Sequence, residues 1–104
     1  MLAIETRKEI KARLTAAFLD RLQGVLLFGS EARSEAREDS DLDLMVLLKG
    51  PVRLGRDLET IVQALYPLQL ELEAPIHAIP VAGDSFAAGD FSLYRNAKQE
   101  GVYL

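Results

Sequence analysis

The sequence predicts an α/β (α+β) fold, with helices packed on one small mixed β-sheet. Three observations carry this. Short apolar runs bounded by glycine or proline, "VLLF", "DLDLMVLL" and "PIHAIPVA", read as strands. Apolar residues recur at helical spacing before the first run and after the second. The resulting order, helix–strand–turn–strand–helix–strand–helix, lets helices cover the apolar faces of a sheet.

Each element has its own signature. Ile10, Leu14, Ala17, Phe18 and Leu22 form one stripe with charges between them, which predicts an amphipathic helix over roughly 4–21, ended by Gly24. Val25 to Phe28 is a continuous apolar run, the mark of a strand buried on both faces. "SEARSEARED" is polar and reads as a loop or a single helical turn. Asp41 to Leu48 is the second strand, broken by Gly50 and Pro51. Leu58, Ile61, Leu65, Leu68 and Leu72 line the next helix, which Pro67 is expected to kink or split near residue 66. "LQLELE" continues that stripe and is read as helix, although it also alternates like a strand. Pro75 to Ala82 is a third strand, and Pro80 marks it as an edge or an irregular end. "GDSFAAGD" reads as a loop. "FSLYRNAKQEGVYL" closes the chain as a short helix and a tail after Gly101.

The totals bound the function. The 104 residues suit a single domain, 1–104, with a real core. The absence of cysteine excludes a disulfide frame and a cysteine-based zinc site. A net charge of −4 disfavours stable, direct DNA binding, which calls for a basic face. No apolar run approaches a membrane span, and the N-terminus is not a signal peptide, so a cytoplasmic protein is expected.

The chemistry concentrates in "GSEARSEAREDSDLDLMVL". On a strand, residues i and i+2 share a face, so Asp41 and Asp43 project together. Close carboxylates repel unless a cation lies between them. Oxygen pairs of this kind suit Mg²⁺, which favours carboxylates plus substrate phosphates. Gly29-Ser30 lies at the end of the preceding strand. There a glycine admits a close ligand, and free N–H groups with a hydroxyl can hold phosphate oxygens. Arg33 and Arg37 can reach phosphate, or can equally form a helix-face salt-bridge pattern among the glutamates. A lone Asp-x-Asp is usually solvated edge polarity and a lone Gly-Ser usually a turn. The combination, with each half at the edge of an apolar strand, is what points to a nucleotide–Mg²⁺ site.

This segment resembles the nucleotidyltransferase signature of the DNA polymerase β-like superfamily, Gly-Ser followed about ten residues later by Asp-x-Asp. The short length and the "GS-x-A-R … SDLDL" form are most similar to the minimal nucleotidyltransferases (MNT), often encoded beside a HEPN-domain protein as antitoxin and toxin. The resemblance covers nearly the whole chain. It implies transfer of a nucleoside monophosphate, usually AMP from ATP or another NTP, to a tyrosine of the HEPN partner. It further implies that Gly29 and Ser30 hold the triphosphate, that Asp41 and Asp43 bind Mg²⁺, and that Arg33 and Ser40 support the loop and nucleotide. Two positions depart from the family pattern. Ser34 stands where the family loop commonly has glycine, and His77 stands where the third strand commonly carries a third carboxylate. Imidazole is a poor Mg²⁺ ligand but a competent base near neutral pH. His77 is expected to point toward Asp41 and Asp43. Glu71 and Glu73 are substitutes only if "LQLELE" is strand. Three functional readings follow: an Mg²⁺-dependent protein-modifying transferase, a degenerate NTP-binding module that neutralises a HEPN partner by contact alone, and a partial domain whose acceptor half is a separate chain.

Overall fold

The computed structural model describes residues 2–29 and 41–104. The elements run α1 (Ile4–Phe18), a single 3₁₀ turn (Leu19–Arg21), β1 (Leu22–Phe28), β2 (Leu42–Leu48), α2 (Leu54–Glu71), β3 (Ile76–Ala82), α3 (Gly83–Ala88), α4 (Ser92–Glu100) and β4 (Val102–Tyr103). The sheet order is β3-β2-β1-β4. β1 is antiparallel to both β2 and β4, whereas β2 and β3 are parallel. The sheet is therefore mixed, and α2 supplies the crossover that a parallel pair requires.

The two central strands are buried on both faces, which is why they read as unbroken apolar runs. On one face, Val25, Leu27, Leu44, Val46 and Leu48 pack against Ile10, Leu14 and Phe18 of α1 and Ile61, Leu65 and Leu68 of α2. On the other, Leu26, Met45, Leu47 and Val81 meet Phe86 of α3 and Ala97 of α4. A polar contact ties the first layer together. Asp57 is 2% exposed and accepts from Arg21 Nη1 and Nη2 at 2.9 and 3.1 Å and from the Arg53 N–H at 3.0 Å. It thereby joins the end of the α1 segment to the first turn of α2.

Five expectations are corrected. Gly24 does not end the first helix but lies inside β1. The helix stops at Leu19, whose φ of 52° leaves the helical region. Ala17 is exposed rather than on the buried stripe. Pro67 does not split α2, which runs through it. The carbonyl it leaves without a partner is that of Gln63, and both residues are exposed, so water can satisfy it. "GDSFAAGD" holds the helix α3, because Phe86 has a core to enter. The tail also does more than trail away. After Gly101 it pairs with β1 as β4, and the Leu104 N–H donates to the Val25 carbonyl at 2.9 Å. Among the described residues, no helix is long and apolar enough to cross a membrane.

Candidate functional site

The ends of three strands bring Gly29, Asp41, Asp43 and His77 together. The ladder between β1 and β2 sets Phe28 opposite Asp43, so Gly29 follows directly beside that carboxylate. Gly29 has φ +78°, and a Cβ built there would stand 2.6 Å from Asp43 Oδ2. This position requires glycine twice over, for its backbone and for the space that Asp43 fills. Asp41 immediately precedes β2. It is anchored by its neighbour, since the Leu42 N–H donates to the Pro75 carbonyl at 2.8 Å. In the parallel ladder Asp43 pairs with His77. Asp43 shares a face with Met45 and Leu47, and His77 shares that face with Val81, which is the α3/α4 side of the sheet.

His77 does point toward the aspartates. Its Nε2 lies 3.0 Å from Asp41 Oδ2, with both side chains about half exposed. Asp43 is half-buried, and burial holds its carboxyl above the ordinary carboxylate range. The nearby His77 opposes that shift, and the charge of Asp41 adds to it. This is a carboxylate pair that a cation would relieve. Among the described residues, no group of three or more His, Cys, Asp or Glu side chains is set to hold a metal ion. Among the described residues the site thus offers two carboxylates. Mg²⁺ accepts such a donor set when substrate phosphates and water complete it, so the residues fit that ion.

Ser30, Arg33, Arg37 and Ser40 lie outside the described residues. "LQLELE" is helical through Glu71, and Glu73 lies between α2 and β3, so neither glutamate takes a strand position as a third acid. A recess of about 260 Å³ opens beside Gly29, lined by Phe28, Leu93, Asn96, Ala97 and Glu100. Sequence reasoning missed these α4 residues. Nothing in their spacing links them to Gly29, and the link exists only because α4 packs back onto β1.

Comparisons with known proteins bear on the family and the fold. The family model described as "Nucleotidyltransferase domain" matches residues 6–104. "Putative protein adenylyltransferase MJ0604" of Methanocaldococcus jannaschii is 30% identical over 98 residues, covering 93% of this chain and 92% of that protein. "Putative protein adenylyltransferase MJ0141" of the same organism is 44% identical over 46 residues, 44% of this chain and 46% of that protein's length. Among solved structures, a "putative nucleotidyltransferase" from Sulfolobus solfataricus has a TM-score of 0.64 at 18% identity, over 96% of this chain and 79% of that one. A toxin–antitoxin crystallised with AMP-PNP has a TM-score of 0.66 at 18% identity, over 93% and 70% of the two chains. The structural likenesses show a shared fold. With a family match across nearly the whole length and a 30%-identical relative of the same size, this chain belongs to the nucleotidyltransferase domain family.

Proposed function

We propose that the chain transfers AMP from ATP to a tyrosine hydroxyl of a HEPN-domain protein partner, as the antitoxin of an MNT/HEPN pair. The observation that carries this is the meeting of Gly29, Asp41, Asp43 and His77 at one end of the sheet. The protein-adenylyltransferase names of the M. jannaschii relatives and the AMP-PNP in the toxin–antitoxin neighbour support the choice of nucleotide and of a protein acceptor.

In this reading Gly29 and Ser30 admit and hold the triphosphate, and Arg33 and Ser40 support the nucleotide. Asp41 and Asp43 would hold Mg²⁺, which when bound neutralises phosphate charge. The acceptor oxygen attacks the α-phosphorus, forming an O–P bond. The bond from that phosphorus to the bridging oxygen breaks, and pyrophosphate leaves with the electron pair. The hydroxyl proton passes to His77, the chain's one histidine.

A second reading is favoured by one observation. His77 is already paired with Asp41, at the position where the resemblance implies a third carboxylate. A site so altered suits a module that binds NTP and silences its partner by contact alone. One experiment separates the two. The protein is incubated with ATP, Mg²⁺ and the product of the adjacent gene, and the partner is weighed by intact mass spectrometry. A gain of one AMP moiety is expected. A partner that binds but gains no mass sinks the transferase reading in favour of the binding module.

A further inference from the structure

Helix α2 carries a second apolar stripe that the described residues leave exposed. Leu54, Leu58, Val62, Tyr66 and Leu70 follow at four-residue intervals and are 65%, 36%, 56%, 58% and 69% exposed. They are separate from the buried Ile61, Leu65 and Leu68. Four-residue spacing makes them one ridge along the helix. At these exposures the ridge leaves on the order of 500 Å² of largely apolar surface, near the top of the roughly 300–600 Å² of the largest patch on a typical monomer. A groove of about 250 Å³ separates it from β3, lined among others by Leu58, Val62, Tyr66, Gln69, Ile76 and His77. The groove reaches the β3 edge at His77, whose side chain turns to the α3/α4 face of the sheet to meet Asp41.

The surroundings select the occupant. β3 is an edge strand, but its edge is blunted against another strand. The Pro75 carbonyl faces β2, so by alternation residues 76, 78 and 80 present their backbone outward. The Ile76 N–H already donates to Gln69 Oε1 at 2.6 Å, and Pro80 has no N–H. Only Ala78 keeps an outward donor among these three. A ridge at four-residue spacing instead fits between the ridges of another helix, crossing at roughly 50°. A second copy is disfavoured by area and charge. Two ridges would bury roughly 1,000 Å² in total, short of the roughly 1,200 Å² of a stable interface. Each copy would also bring a net charge of −4. Exposed Glu71 and Glu73 lie in or next to the elements that form the end of the groove at Gln69, Ile76 and His77, which calls for a basic neighbour there.

We infer that the α2 ridge and its groove dock one amphipathic helix of a protein partner, basic on the flank nearest Glu71 and Glu73, and so hold that partner at the β3 edge, across which the Asp41–Asp43 site lies on the other face of the sheet. This rests on the transferase reading above. The test uses the full chain and the protein encoded beside it, with Val62→Glu and Tyr66→Ala. Both positions are exposed, and thermal melts check that each variant folds. If Val62→Glu does not fold, Tyr66→Ala carries the test. Each variant is expected to weaken the complex at least tenfold and to lower AMP transfer to the partner in parallel, while Mg·ATP affinity is unchanged. Residues 54–70 should gain protection from hydrogen exchange in the wild-type complex. Undiminished binding by the folded variants overturns the docking surface and leaves the transferase reading intact. A wild-type dimer that Val62→Glu dissociates overturns it in favour of a second copy. No complex at all removes the docking proposal and the HEPN partner together, whereas no ATP binding by the wild type removes the transferase reading itself.

Discussion

Replacing Asp57 by alanine should cost about 3 kcal/mol of stability. The carboxylate is 2% exposed and holds three hydrogen bonds, two from Arg21 and one from the Arg53 N–H at the start of α2. The back-bond to the helix N-terminus contributes about 1 kcal/mol. The two charge-assisted bonds contribute about 2 kcal/mol together, at the low end because Arg21 is 41% exposed and returns to water when released. For a chain of this size the loss is a large share of a total of roughly 5–15 kcal/mol, and should lower Tm by on the order of 12 °C. The effect has a pH signature. The Arg21 hydrogen bond, foremost, holds the Asp57 carboxyl below its ordinary value of 3.8, against the opposing effect of burial. A carboxyl that titrates lower when folded stabilises fully above its unfolded value, and that contribution is lost as pH falls through the folded value. Urea unfolding of wild type and Asp57→Ala at pH 7 and pH 3 measures both. The gap should be about 3 kcal/mol at pH 7 and narrower at pH 3. A gap under 1 kcal/mol, or one that widens on acidification, would refute the role given to this contact.

Three further changes probe the site and its frame. Gly29→Ala forces a Cβ against Asp43 Oδ2 at a φ of +78°, so Mg·ATP affinity by calorimetry should fall at least tenfold, with about 1 kcal/mol of stability lost; unchanged affinity would place the nucleotide elsewhere. Leu19→Gly relieves a φ of 52° at a side chain that is 70% exposed, and should raise stability by about 1 kcal/mol in urea unfolding; a loss would mean that the leucine matters more than its backbone. His77→Asp supplies the third carboxylate that the resemblance implies at this position and should raise Mg²⁺ affinity and transfer rate about tenfold; no change in a fast wild type would assign the third acid to another group.

The strands were legible because burial on both faces leaves no polar interruption in Val25–Phe28 and Leu44–Leu48. The aspartates were legible as a pair from their two-residue spacing, although β2 begins only at Leu42; the two meet through His77, which pairs with Asp43 and contacts Asp41. His77 followed from the family resemblance, and the parallel pairing of β3 with β2 sets it beside Asp43. What was missed depends on distant partners. Gly24 looks like a helix stop, yet β1 begins before it because Leu22 pairs with Leu48 across the sheet. The short helix at Phe86 has too few residues to show a period, and forms because that ring has a pocket among Leu26, Met45 and Val81. The two-residue strand after Gly101 gains its hydrogen bonds only from β1. On the site, the α4 side of the recess beside Gly29 is long-range packing that no local pattern announces.

The central claim is that Gly29, Asp41 and Asp43 position ATP for attack at its α-phosphorus. The direct measurement is transfer to the adjacent gene's product from ATP labelled at the α- or the γ-phosphate, with Mg²⁺, for wild type and Asp43→Asn. The account predicts label on the partner from α-labelled ATP only, and its loss by at least a hundredfold in Asp43→Asn, since that carboxylate would hold the metal and touch the phosphates. Label arriving from the γ-phosphate, or equal transfer by Asp43→Asn, would contradict it.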